Sequence, residues 1–256
     1  MDTSSRYGKL WTRDELILAF ELYCRISFSK TKASNPAVRE VAKAIRRTPA
    51  SVARKLGNFG AFDPELKRQN ISGLGHGSKL DEQIWNEFNQ NWEALVTQSH
   101  RIRRKLAVPE RCDTTWVPPK GPSEQLRSSK QRLHQSFFRD AVLSSYDGRC
   151  AVTGLSLTEC LIASHIIPWS ESVEARANPR NGICLSATID RLFDRGLLTF
   201  HDDLSIVISP RILAIQDLPV QEQVSSYNGR PMFRPERFLP EIDFLSWHRD
   251  HRFIDN

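Results

Sequence analysis

LIASHIIPW at residues 161–169 and NGICLSATIDRLFDRGLL at residues 181–198 decide how the second half of this chain is read. In the first stretch Leu161, Ala163, His165 and Ile167 alternate with Ile162, Ser164 and Ile166, so His165 lies on one face of a short strand. In the second, Leu185, Ile189, Leu192 and Phe193 make an apolar stripe at helical spacing, and Gly196 stands just past its end. Asp190 and Asp194 are one turn apart on that helix. Carboxylates so placed face the same way and repel by about a few tenths of a kcal/mol. A divalent cation would turn that repulsion into chelation. Asn181 stands where the chain enters the helix. Its amide is open to two uses, bonding the His165 backbone or ring, or ligating a metal.

Those residue types suit one chemistry. Hydrolysing a phosphodiester needs a base for water, positive charge for the phosphate, and a partner that holds the base in its productive tautomer. Imidazole, with an ordinary pKa of about 6.5, suits the first task. His165 is therefore the candidate general base.

His165, Asn181 and Asp190 fall at the three positions that give the HNH endonucleases their name, with aspartate in place of the last histidine. The chain resembles that family over roughly residues 128 to 209. Upstream, the helix-like RLHQSFFRDAVLSSYDGRCAVTG runs into a Cys150-x-x-Thr153-Gly154 turn, and SWHRDHRF near the end is a weaker echo. The resemblance implies a ββα-metal nuclease that hydrolyses DNA, of the kind found in bacterial restriction and other phage-defence systems. It implies His165 and Asn181 as catalytic residues, and Asp190 with Asp194 or Asn181 as metal ligands. An arginine among Arg132, Arg139, Arg191 and Arg195 would steady the phosphate. One such site breaks one strand, so double-strand cleavage would take a homodimer or successive nicks.

The chain departs from the family twice. Cys150 is followed by Thr153 where a Cys-x-x-Cys pair would have its second cysteine, and no other such pair exists, so no structural zinc is expected. The residue before the base, often a metal ligand, is Ser164. An oxygen-rich site of this kind suits Mg²⁺ or Mn²⁺.

Composition sets wider bounds. The 256 residues exceed one average domain, with ordinary hydrophobic and charged contents of 39% and 26%. The net charge of +6 favours a polyanionic partner. Cys24, Cys112, Cys150, Cys160 and Cys184 are scattered without a framework and read as reduced thiols. No apolar run approaches the ~18 residues of a membrane span, and MDTSSRYGKL lacks a signal-peptide core. A cytoplasmic protein with no membrane partner is expected.

The N-terminal part reads as helical. Thr12-Arg13-Asp14-Glu15 is a capping-box pattern, Asn35-Pro36 opens a second helix, and Thr48-Pro49 caps a third. The last two resemble a helix-turn-helix, which would offer Ser51, Arg54, Lys55 and Asn58 to a major groove, with Arg39, Lys43, Arg46 and Arg47 on phosphates. LDEQIWNEFNQNWEALV returns to helix. From residue 97 to 129 the chain is rich in Arg, Lys, Pro and Ser and reads as a basic linker, in which Arg103, Arg104 and Lys105 could hold a DNA backbone. LLTFHDDLSIVIS reads as a hairpin with His201 in its turn. PEIDFLSWHRDHRF reads as a closing helix in which His248 and His251 are surface or packing groups.

The expected architecture is thus α+β: a helix-turn-helix-like domain at 1–96, a linker at 97–129 and a ββα-metal nuclease at 130–256. Two rivals remain, a DNA-binding regulator whose C-terminal fold is scaffold alone, and an RNA or single-strand nuclease.

Overall fold

The computed structural model describes residues 8–75, 77–108 and 122–255, with the side chains of 122–130 excepted. Cys112 and the proline-rich part of the expected linker lie outside the described residues. The chain divides into two compact units, residues 1–141 and 142–256.

The first unit is helical: α1 (Arg13–Arg25), α2 (Pro36–Ala44), α3 (Pro49–Gly60), α4 (Pro64–Arg68), α5 (Lys79–Phe88), α6 (Trp92–Lys105) and the start of α7 (Pro122–Ser145). α1 is buried without a break from Glu15 to Cys24 and packs against α2, α3, α5 and α6. Phe20, Tyr23, Phe59 and Trp85 form one aromatic cluster around it. The caps are those the sequence announces: the Thr12–Glu15 capping box, Asn35 on Ala37 N, and Thr48 on Ser51 N.

Ion pairs sit inside this unit. Glu21, almost fully buried, meets Arg25 one turn along and Arg103 at 2.8 Å. Burial alone would raise its carboxyl, but the two guanidinium groups outweigh that and hold it at about 2. Lys55 is 8% exposed, and its Nζ donates to both oxygens of Asp81 at 3.0 and 2.9 Å.

These pairs correct three sequence expectations. Lys55 and Asn58 are not on the outer face of α3: both are buried, and both turn toward Asp81. Arg47 does not reach outward either. It donates to the carbonyls of Lys9 and Leu10 and pairs with Glu15, over the ring of Trp11. Arg103 is tied to Glu21 instead of lying in a linker. Of the expected DNA contacts here, Arg39, Lys43, Arg46, Arg54, Arg104 and Lys105 remain exposed.

Two boundaries also move. The helix expected from Leu80 through Val96 breaks at Asn89–Asn91, because Asn89 closes α5 and the Asn91 side chain caps α6. α6 then continues past residue 97 to Lys105, since Ser99 and Ile102 are buried on its inner face.

The second unit is built on an antiparallel pair, β1 (Leu161–His165) with β2 (Gly182–Ser186), in a register that sets His165 opposite Gly182 and Ser164 opposite Ile183. α8 (Ala187–Asp194) leaves β2 directly and packs on both strands. β3 (Leu198–Phe200) and β4 (Ile206–Ile208) form the expected hairpin. α9 (Pro210–Leu213) and α10 (Leu218–Gln223) follow, and α11 (Ile242–His251) closes the unit against β3. Among the described residues Cys150 and Cys184 are buried and form no disulfide. Among the described residues no helix is long and apolar enough to cross a membrane.

The Lys55–Asp81 pair gives a test. Asp81→Ala leaves a buried ammonium uncompensated, which typically costs about 3–5 kcal/mol, whereas the double variant Lys55→Met/Asp81→Leu removes both charges. Urea denaturation is expected to find the single variant much less stable and the double variant recovering a large part of the loss. A single variant as stable as the parent would contradict this account.

Candidate active site

His165 ends β1, and its ring lies under the loop that joins β1 to β2. Its Nε2 stands 3.1 Å from the Arg176 carbonyl oxygen. A carbonyl only accepts, so the proton is on Nε2 and the basic lone pair on Nδ1. Trp169 presents its ring at 89° to the imidazole, 5.8 Å between centroids. Burial pulls the His165 pKa below 6.5, partly opposed by the Arg176 carbonyl. The lowered pKa favours the neutral ring at neutral pH.

The loop is shaped by Asn181. This side chain is fully buried, with its Oδ1 accepting from Ile167 N at 2.8 Å and its Nδ2 donating to the carbonyls of Ile167 at 3.0 Å and Ala175 at 3.2 Å. Its backbone carbonyl accepts from Ile166 N at 2.9 Å. Of the two uses its amide leaves open in the sequence, the hydrogen bond to His165 is not made. The amide bonds neither the His165 ring nor its backbone, and its oxygen is taken by Ile167. It fixes the segment that brings the Arg176 carbonyl to the imidazole. Arg176 strengthens the same loop, with Nε donating to Trp169 O at 2.7 Å and its guanidinium over the Trp169 ring.

Alternation along β1 turns Ser164 to the opposite face from His165, toward α8. There it meets Asp190, half-buried on the first turn of the helix, with Asp194 exposed one turn on. Burial raises the Asp190 carboxyl above its ordinary range. The Ser164 hydroxyl and Arg191 oppose the rise, and Asp194 adds to it. Burial raises Asp194 as well, against Arg191 and Arg252. Ser164 Oγ is buried yet makes no formed hydrogen bond among the described residues. Asp190, Asp194 and the Ser164 hydroxyl thus offer oxygen donors on one side of the helix. This oxygen set fits a hard divalent ion. Among the described residues no group of three or more His, Cys, Asp and Glu gathers at one point, so such an ion would rest on two carboxylates, the hydroxyl and water.

The remaining predicted residues are dispersed. Arg191 and Arg195 are exposed on and just after α8. Arg132 and Arg139 are half-buried on α7, in the helical unit. His201 is exposed in the hairpin turn. His248 is a packing group: it stacks on Phe193 at 3.8 Å, with Thr199 on Nδ1 and the Phe193 carbonyl on Nε2, and burial pulls it down to about 4. Sequence reading missed Arg176, Trp169 and the ligand role open to Ser164. The signal for Ser164 was its place beside His165; a backbone carbonyl carries none.

Residues 150–201 match the family model for HNH endonuclease. No curated protein matches the chain.

The histidine environment predicts a pH response. A pKa lowered on folding gives stability that is fully present above 6.5, the unfolded value, and is lost as pH falls, for His248 down to about 4. Heteronuclear NMR of the imidazoles is expected to report the Nε2-protonated tautomer for His165 and a midpoint below 6.5. In Asn181→Ala, with the loop released, that midpoint should move up toward 6.5 and the tautomers should mix. An unchanged midpoint would contradict the positioning role of Asn181.

Proposed function

We propose that this chain, in which residues 150–201 form an HNH endonuclease domain, is a divalent-metal-dependent DNA endonuclease serving restriction or phage defence. The observation that carries the reading is the Arg176 carbonyl on His165 Nε2, which presents Nδ1 as a base on the strand that also carries Ser164 toward Asp190.

In this reading His165 Nδ1 takes a proton from the attacking water. Asn181 keeps the loop, and with it the Arg176 carbonyl, in place, so that the imidazolium formed is stabilised and not reoriented. Asp190, Asp194 and Ser164 would hold the cation, which when bound supplies positive charge to the phosphate and the leaving oxygen. Mg²⁺ or Mn²⁺ suits these oxygen donors. Arg191, on the turn between the two carboxylates, steadies the phosphate. The exposed cations Arg46, Arg54, Arg104 and Lys105 of the helical unit are assigned to the DNA backbone, as a helix-turn-helix-like module would place them.

Supercoiled plasmid and single-stranded RNA, incubated with Mg²⁺, Mn²⁺ or chelator, test the whole reading. Metal-dependent plasmid cleavage is expected, with His165→Ala slowed by about 10²–10⁴-fold while DNA binding persists. Calorimetry should find Mn²⁺ binding lost in Asp190→Asn. Cleavage of RNA alone would overturn the DNA assignment. Binding with no cutting of either substrate would favour a regulator that keeps the fold as scaffold.

A further inference from the structure

We propose that Arg252, in the C-terminal segment beyond the family match, is a phosphate-binding residue of the nuclease site. This rests on the reading of residues 150–201 as a nuclease.

The segment after α11 is locked onto the end of α8. Arg252 N and Phe253 N both donate to the His248 carbonyl, at 3.0 and 3.1 Å, which closes the helix. Ile254 N then donates to the Gly196 carbonyl at 2.8 Å, and the Ile254 carbonyl accepts from Ser209 Oγ at 2.6 Å. Gly196 adopts φ +68°, and a Cβ there would stand 1.9 Å from the Arg252 carbonyl oxygen. The Arg252 backbone thus lies directly on the residue two positions after Asp194. The His248 ring, stacked on Phe193, is a further anchor between α11 and α8.

A side chain so firmly rooted would be expected to have a partner. Arg249, on the same helix, does: it donates to the Phe200 carbonyl and to Asp202. Arg252 is exposed and, among the described residues, its side chain makes no hydrogen bond and no ion pair. With its backbone packed on Gly196, two residues after Asp194, Arg252 is rooted at the acidic end of α8, and its side-chain donors are uncommitted among the described residues. A bidentate fork next to a cation site is suited to a non-bridging phosphate oxygen pair of the strand being cut.

The bland alternative is a solvated arginine that only offsets the charge of Asp194. The two differ in what DNA binding reports. In a His165→Ala parent, whose readout does not depend on cleavage, anisotropy of a fluorescein-labelled DNA duplex is measured across a salt series. Arg252→Gln is expected to weaken binding by about tenfold and to reduce the slope of log K against log salt by about 0.9, the value of one lost phosphate contact. Arg252→Lys should keep the slope, while in the otherwise wild-type protein it slows cleavage through loss of the fork. Arg249→Ala serves as a control for disturbance of α11, since it breaks a pair on that helix without touching the acidic site. An unchanged affinity and slope in Arg252→Gln, with the parent binding DNA, overturns this proposal alone. A parent that binds no DNA overturns the nuclease reading and this proposal together.

Discussion

The site depends on one buried amide. The segment between β1 and β2 is largely irregular, and such a chain must find partners for its own peptide groups or stay in water. Asn181 supplies them from the side, accepting from Ile167 N and donating to the carbonyls of Ile167 and Ala175. Each of those groups left unpaired in the interior would cost about 1–3 kcal/mol. The same three bonds set where the next carbonyl, that of Arg176, arrives, and that carbonyl sets which imidazole nitrogen of His165 carries the proton. A single buried side chain thus fixes which imidazole nitrogen of His165 carries the proton. Aspartate at this position could accept but not donate, so the interaction needs an amide and not merely a polar group.

In the helical unit the constraint is electrostatic. Glu21 between Arg25 and Arg103, and Asp81 under Lys55, are charges taken out of water and matched inside. Such pairs contribute little net stability over an apolar core, but removing one partner is expensive, so they restrict how the helices can assemble. They also reduce the basic surface. Lys55, Arg47 and Arg103 are matched by internal carboxylates, so each pair leaves the net charge of +6 unchanged while taking one cation away from a polyanion.

That use of charge marks the limit of what the sequence could tell. Helix caps were legible because they are local: Thr12, Asn35 and Thr48 act within three residues of themselves. The strand with His165 and the helix with Asp190 and Asp194 were legible because periodicity is local too. Lys55 could not be read, since Asp81 lies 26 residues away and an amphipathic pattern does not distinguish a buried lysine with a partner from an exposed one without. Asn181 was identified as a site residue but not for what it does, because its partners are backbone atoms that have no sequence identity. Ser164 was read as a lost ligand, yet the fold buries its hydroxyl against Asp190 with nothing else to bond. The break at Asn89–Asn91 was obscured by Phe88 and Trp92, whose apolar spacing continues across it.

The extent of the working unit follows from packing and not from the family match. Residues 150–201 contain one two-stranded hairpin and one short helix, and a pair of strands with so little to cover it is marginal in water. Phe193 and Phe200 lie side by side beneath α8 and β3, but what seals them is contributed from outside the match. His248 stacks on Phe193 and is fixed by the Phe193 carbonyl and Thr199, and Leu245 is buried on the same helix. Gly196 has no room for a side chain because the Arg252 backbone occupies that space, so the end of α8 and the end of the chain are shaped to one another. The carboxylate of Asp194 therefore owes its position to residues more than fifty places downstream. The matched motif is local in sequence, whereas the packing that holds it in place comes from the C-terminal helix.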